Sequence, residues 1–231
     1  MNKKVGVIGG MGPMATAKFM ELVINNTKAD SDQDNVDMLI CQYSSTPDRT
    51  SYILDNTKED PSISMINAAK LLERENCSFL VMPCNTATYF YSKIAEKISI
   101  PLINIAEETV KSCLEKGAKK IGLMATIGTI KSKVYEEFIP SNVDLFIPND
   151  NIQKRIMDII YEEVKQNKIP LKNNFLEVID YFRSNGCDHI IMGCTELSVA
   201  IEQLDITNDD IVDSLTVLAR LTITKAGKLL K

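Results

Sequence analysis

Two cysteines of this chain stand where a thiol can do chemistry. Cys84 ends the apolar run Cys77-Ser78-Phe79-Leu80-Val81-Met82-Pro83, and Cys194 ends the run Cys187-Asp188-His189-Ile190-Ile191-Met192-Gly193. Amide or hydroxyl residues follow each of them, Asn85-Thr86 in one case and Thr195 in the other. A cysteine acts as a base when ionised and as an acid when protonated. Two of them on opposite sides of a carbon can remove a weakly acidic proton from one face and deliver a proton to the other. The stereocentre is then inverted. One group must be thiolate while the other is thiol, and they exchange states at each turnover, so the pair titrates as a unit. The residues after each cysteine read as the start of a helix, a setting that lowers the pKa of a thiol toward neutrality. Cys41, Cys77, Cys113 and Cys187 read as small core residues.

A carbanion formed by loss of that proton needs preorganised hydrogen-bond donors. Asn85, Thr86, Thr126 and Thr195 are suited to donate to a carboxylate beside the reacting carbon, with Thr129 as a further member; each could equally be a helix cap. Glu196, two residues after Cys194, could hold an ammonium group, tune the thiol or serve as a first-turn helix acid. A zinc site is a poorer use of these cysteines, because no C-x-x-C pair occurs and the single histidine, His189, lies within a strand-like run. A disulfide between Cys84 and Cys194 would abolish the proton chemistry and would need close approach of their Cα atoms.

The elements that position these groups nearly repeat. Lys3-Lys4-Val5-Gly6-Val7-Ile8 matches Lys119-Lys120-Ile121-Gly122-Leu123-Met124, the two cysteine runs match each other, and Ile103-Asn104-Ile105 weakly matches Ile211-Val212-Asp213. Three matches in one order imply a duplicated α/β unit. Between the strands the periodicity is helical: Asp60-Pro61 starts a helix with Ile63, Ile66, Ala69 and Leu72 on its apolar face, and Ile152, Ile156, Ile159, Ile160 and Val164 form another. The expected fold is α/β: two similar lobes, each a parallel sheet flanked by helices, related by a pseudo-two-fold axis, with the site in the cleft between them. Residues 1–103 form the first lobe and 104–209 the second, with 210–231 packing back on the first. Ligands of such sheets sit beyond the carboxyl ends of the strands, which is where Gly9–Gly12, Cys84, Thr126 and Cys194 all fall.

Gly10-Met11-Gly12-Pro13-Met14-Ala15 fits the dinucleotide pattern G-x-G-x-x-A. The pattern also wants an acidic residue at the end of the second strand, and the strand over 36–43 ends in Cys41-Gln42-Tyr43-Ser44-Ser45. The loop therefore reads either as a tight turn or as a helix N-terminus whose N–H groups, at Met11 and Gly12, receive a substrate carboxylate.

Bulk properties narrow the partners. The net charge is −5, only five of the 26 basic residues are arginine, and no basic run occurs, which argues against nucleic acid and anionic membranes. No apolar run reaches the length of a membrane span. Lys3-Lys4 with Ala15-Thr16-Ala17 imitates a secretion leader, but the recurrence of the lysine-strand pattern at Lys119-Lys120 assigns it to the fold. The expected setting is cytoplasmic, with reduced thiols.

Gly9-Gly10-Met11-Gly12-Pro13, Pro47-Asp48-Arg49-Thr50, Pro83-Cys84-Asn85-Thr86-Ala87 and Gly193-Cys194-Thr195-Glu196-Leu197 together resemble the aspartate/glutamate racemase family nearly end to end. The resemblance implies a racemase that needs no pyridoxal phosphate or other cofactor and uses two cysteine bases. It implies that Arg49 grips the side-chain carboxylate of a small dicarboxylic amino acid, that Lys165 reaches the same substrate from the second lobe, and that the protein is a homodimer. The planar fork of an arginine matches a carboxylate bidentately. Relatives that racemise hydantoins, isomerise maleate or decarboxylate arylmalonates share the framework, so fold alone does not choose among these reactions. A two-lobed protein that merely closes on an acidic ligand is the alternative of a different class.

Overall fold

In a computed structural model that describes residues 3–231, seven strands form two parallel sheets. The first has the order β2-β1-β3, made of Val5–Gly9 (β1), Met38–Gln42 (β2) and Phe79–Val81 (β3), and a single parallel bridge from Leu80 to Leu102 extends it. The second has the order β5-β4-β6-β7, made of Lys120–Ala125 (β4), Asp144–Phe146 (β5), His189–Gly193 (β6) and Ile211–Asp213 (β7). Leu102 therefore occupies in the first sheet the place β7 occupies in the second.

The helices are α1 (Pro13–Asn26), α2 (Arg49–Leu54), α3 (Ser62–Arg74), α4 (Tyr91–Ala95) and α5 (Ile105–Glu115), then α6 (Ile127–Lys131), α7 (Asp150–Asp158), α8 (Lys172–Ser184), α9 (Thr195–Gln203) and α10 (Ser214–Lys225). They cover both faces of both sheets, so the central strands are buried throughout and read as apolar runs rather than as alternations. On one face of the first sheet Ile8, Leu80 and Met82 meet Met65, Ala69 and Leu72 of α3. On one face of the second, Ile190 and Met192 meet Phe175, Ile179 and Phe182 of α8. The repeat extends to this packing. Gly6 lets α3 lie close on β1, and a Cβ there would collide with Leu80, Leu72 and Cys77. Gly122 does the same for α8 on β4, where a Cβ would stand 2.5 Å from Phe182.

The other faces are covered by exchange. Helix α5 leaves the first sheet after Leu102, yet its Ala106, Val110 and Cys113 pack on Ile121, Leu123 and Val212 of the second. Helix α10 leaves β7 of the second sheet, yet its Leu215, Leu218 and Ile223 pack on Val5, Val7 and Phe79 of the first. The two crossings begin with the same turn chemistry. Asn104 Oδ1 accepts the N–H of Ala106 and Glu107, and the Asp213 carboxylate accepts those of Leu215 and Thr216.

Three expectations need correction. Residues 211–213 form a strand that stays with the second sheet, so the return to the first begins only at Ser214. Ile63 is 61% exposed; α3 buries Met65, Ala68, Ala69 and Leu72 instead, because the helix starts at Ser62 after Pro61 and presents a stripe rotated from the expected one. The second strand spans Met38–Gln42, shorter than 36–43. Cys41, Cys77, Cys113 and Cys187 are all buried among apolar side chains.

Burial pushes the Cys113 thiol up to about 12 and the Cys187 thiol up to about 11, from an ordinary value of 9.0. Such a thiol keeps its proton in the fold while the unfolded chain releases it, so its contribution to stability is complete below pH 9.0 and is lost as pH rises toward about 12. Urea unfolding midpoints are expected to fall steadily above pH 9.0, and Cys113→Ala to flatten that slope.

Candidate active site

The carboxyl ends of the two sheets face one small enclosed space. Met11, from the loop after β1, Arg49, Cys84, Asn85 and Thr86 line it from the first lobe, and Thr126, Lys165, Cys194, Thr195 and Glu196 from the second. Asp48, Thr50 and Tyr161 complete the wall. The space is about 10 Å³, room for about one water. Outside it lies a larger cavity of about 540 Å³ that shares Asp48, Arg49, Lys165 and Glu196 and adds Gly12, Pro13 and Met14. Thr129 lines neither space.

Each side chain is placed by a strand end or a helix start. Cys84 follows β3 by three residues, and Thr86–Phe90 continues as a short 3-10 turn. Cys194 directly follows β6 and immediately precedes α9. Both are buried, each at 5% exposure. Cys194 Sγ donates to Glu196 Oε2 at 3.0 Å, and Thr195 Oγ1 donates to the same oxygen at 3.4 Å. Lys165 Nζ lies 3.9 Å from Glu196 Oε1 and 4.3 Å from the centre of the Tyr161 ring, within cation–π range. Cys194 does stand at a helix start, as expected, but the lowered pKa expected from that setting is overturned. Burial and then the Glu196 carboxylate raise its pKa well above the ordinary value, and Lys165 offsets this only in part.

Arg49 starts α2 and is 7% exposed. Its guanidinium donates from Nη1 to the carbonyls of Thr46 (3.2 Å) and Pro47 (2.9 Å), while its Nε has no partner and it forms no ion pair among the described residues. Asp48 caps the same helix through the Ser51 N–H at 2.8 Å and accepts a bond from the Tyr161 hydroxyl of the other lobe at 3.3 Å. Burial opposes the Asp48 charge, but the Ser51 bond and the nearby Lys165 and Arg49 outweigh it and hold its pKa below the usual carboxylate range. Burial likewise opposes the Lys165 charge and is the largest single effect, but Glu196, Tyr161 and Cys194 together outweigh it, so the ammonium pKa is raised.

Lys165 sits in a 3-10 turn, Val164–Gln166, that follows a π-helical turn over Ile159–Glu163. A helix-terminal dipole is not what holds it; Glu196 and the Tyr161 face are. π-Turns place side chains off the regular helical register and recur at functional positions.

The hydroxyls of Thr86, Thr126 and Thr129 form a closed triangle with sides of 2.9 to 3.0 Å across the seam. Asn85 is engaged differently from expectation. Its Oδ1 accepts from the Tyr135 hydroxyl at 2.5 Å and its Nδ2 donates to Ser214 Oγ, which donates to the Met192 carbonyl. Its amide thus ties the two lobes together, with one Nδ2 hydrogen left for a ligand. In the glycine loop, the Gly10 N–H is already taken by Thr16 Oγ1 at 2.9 Å. A Cβ at Gly10, where φ is +91°, would stand 2.5 Å from the Tyr43 backbone, so this glycine serves the turn. Gly12 precedes Pro13 at the start of α1 and faces Glu196.

Sequence reasoning missed Tyr135 and Ser214, which carry no motif and lie 50 and 129 residues from Asn85. Asp48 stood only as a neighbour of Arg49, and Tyr161 was not singled out. A tyrosine one helical turn before a site lysine was the available signal for Tyr161. His189 pairs with Asp188 at 2.9 Å, away from the cavity, and no cluster of metal-binding side chains occurs among the described residues.

Residues 8–222 match the family described as Asp/Glu/hydantoin racemase. The chain is 29% identical over 225 residues to a broad specificity amino-acid racemase of Bacillus subtilis, covering 95% of this chain and 96% of that one. Its structure is similar to that of an aspartate racemase from Picrophilus torridus, with a TM-score of 0.87, 31% identity, and coverage of 99% of this chain and 96% of the other. A glutamate racemase from Francisella tularensis, solved with D-glutamate, shares the fold at a TM-score of 0.65 and 17% identity, covering 97% of this chain and 81% of that one.

The seam can be tested without any substrate. Tyr135→Phe removes the hydroxyl that satisfies buried Asn85 Oδ1, and the protein is expected to lose about 1–3 kcal/mol of stability in urea unfolding, the cost of one orphaned buried acceptor.

Proposed function

This chain belongs to the Asp/Glu/hydantoin racemase family, and on that premise we propose that it interconverts the enantiomers of an acidic amino acid, aspartate or glutamate, by moving the Cα proton between Cys84 and Cys194 without a cofactor. Family membership makes it an isomerase. The observation that carries the choice of substrate is Arg49: a buried guanidinium with an unpartnered Nε and no carboxylate partner among the described residues, on the wall of the cavity that both thiols line. A buried cation is costly unless paired. An anionic side chain of the substrate supplies the missing partner and can take two parallel bonds from the guanidinium.

The remaining assignments follow from the two lobes. Lys165 meets the same substrate from the second lobe. The Thr86–Thr126–Thr129 triangle, the free Nδ2 hydrogen of Asn85, Thr195, and the backbone at Met11 and Gly12 are the donors available to the α-carboxylate, and Thr129 acts through the other two hydroxyls. Charge developing at the reacting carbon is stabilised best by donors that are already oriented and out of water. A space of about 10 Å³ is too small for an amino acid, so the lobes must part to admit it and close around it. The Tyr161–Asp48 bond is one of the contacts that opening would break. No helix of the described residues is long and apolar enough to cross a membrane. The protein is proposed to work in the cytoplasm, as a homodimer.

Incubation with L-aspartate or L-glutamate in D₂O, with no cofactor added, is expected to give loss of the Cα–H NMR signal and appearance of the D-enantiomer by chiral chromatography. Cys84→Ala or Cys194→Ala should lower racemisation at least about a hundredfold, the lower range for losing one general acid–base group; wild-type-like turnover by either would sink the two-thiol assignment. Arg49→Lys keeps the charge but loses the fork, and is expected to raise KM for the acidic substrates by about tenfold or more, on the order of one charge-assisted hydrogen bond. Fumarate formed from maleate with no amino-acid turnover would instead place the chain among the isomerases of this framework.

A further inference from the structure

We propose that Glu196 is a positioning residue that makes the thiol pair unequal: in the free protein its carboxylate holds the proton on the Cys194 sulfur, so that Cys194 starts as the acid and Cys84 as the base of the pair. The inference rests on the two-thiol reading above and adds which partner starts as the acid. Its basis is geometric. Cys194 Sγ donates to Glu196 Oε2 at 3.0 Å, so the sulfur in this arrangement carries the hydrogen. The other carboxylate oxygen faces the Lys165 ammonium at 3.9 Å, and Thr195 Oγ1 donates to Oε2, so the carboxylate is held as an acceptor. Cys84 has no carboxylate hydrogen-bonded to its sulfur among the described residues. A thiolate at Cys194 would stand against a second anion at the same short distance, and like charges so close disfavour ionisation. The direction in which burial and Glu196 move the Cys194 pKa agrees.

The asymmetry has a consequence for turnover. Cys84 thiolate takes the Cα proton, the electron pair of the C–H bond stays on carbon, and Cys194 gives its S–H proton to the opposite face. The cycle ends with Cys84 as thiol and Cys194 as thiolate beside Glu196. Repulsion between those two anions favours return to the starting form, in which water accepts one proton from Cys84 and supplies one to Cys194. No oxidation state changes. The free protein is therefore set for the enantiomer whose Cα–H faces Cys84.

Alkylation by iodoacetamide, followed residue by residue by peptide mass spectrometry on the full chain across pH, reads the thiolate population at each cysteine. Each cysteine's rate is normalised to its own high-pH plateau, so that any difference in access between the two sulfurs cancels. In the wild type, Cys84 is expected to react at least about tenfold faster than Cys194 near neutral pH, since one pKa unit is tenfold in thiolate fraction. Glu196→Gln replaces an anion by a neutral amide that can donate to a thiolate; the Cys194 profile is then expected to move to lower pH and the ratio to shrink by about tenfold. A purely structural role for Glu196 would leave the ratio unchanged. Equal rates at the two cysteines in the wild type, faster labelling of Cys194, or an unmoved ratio in Glu196→Gln would each overturn the proposal. The wild-type profiles decide the matter even where the variant fails to fold. Labelling needs no turnover: unequal thiols without racemisation would refute the function and leave this inference standing, whereas racemisation with equal thiols would do the reverse.

Discussion

The site depends on charges gathered in the seam between two sheets, where Arg49 and Glu196 are buried, Asp48 is half-buried and Lys165 is partly exposed. Arg49, Asp48, Lys165 and Glu196 meet there in a space with room for about one water. Charges removed from water are tolerated only when they are paired or hydrogen-bonded. Three of the four are compensated: Glu196 by Lys165 and by the Cys194 and Thr195 side chains, Lys165 also by the Tyr161 ring, and Asp48 by a helix N–H and a tyrosine hydroxyl. Arg49 has only carbonyl partners. The one incompletely paired cation is thus next to the thiols, and the proposed substrate chemistry follows from that imbalance.

Holding such a seam requires that the lobes be fixed face to face, and the exchanged helices do this. Because α5 packs on the second sheet and α10 on the first, each lobe owns part of the other's core. The carboxyl ends of both sheets are then opposed over the same cavity. Hydrogen bonds at the seam add direction to what apolar packing provides as adhesion. The Tyr135–Asn85–Ser214–Met192 chain links the residue beside Cys84 to the strand that carries Cys194. A shift of one lobe is therefore felt at both thiols. The contacts that close the site, such as Tyr161 on Asp48, are single and partly exposed by comparison. A rigid base with a weakly fastened mouth is what a site needs that must exclude water yet exchange its ligand.

The two cysteines show how far local environment departs from local sequence. Both end a strand run and both precede hydroxyl residues. In the fold one thiol donates to a carboxylate and the other does not. The helix that follows Cys194 would by itself lower its pKa, but the dipole effect is modest and a neighbouring anion in a buried site is stronger. Burial first, and then the neighbouring carboxylate, rather than helix geometry, set the character of the thiol.

The sequence by itself determined the elements and their duplication. Apolar runs that end in glycine or cysteine, the repeated lysine-strand pattern and the matched cysteine segments were sufficient for two parallel sheets with the notable loops at one end, because strand burial on both faces leaves a local signature. It also identified most residues of the cavity wall, since the topology sends every strand end to the same place. It did not determine which side chains share atoms there. Tyr135 on Asn85, the exchange of α5 and α10, the boundary at Ser214 and the bond from Cys194 to Glu196 were decided only by the tertiary structure. Contacts between residues far apart in sequence, and rotamers chosen by whichever charge lies across a seam, leave no periodicity along the chain, so only the folded molecule reveals them.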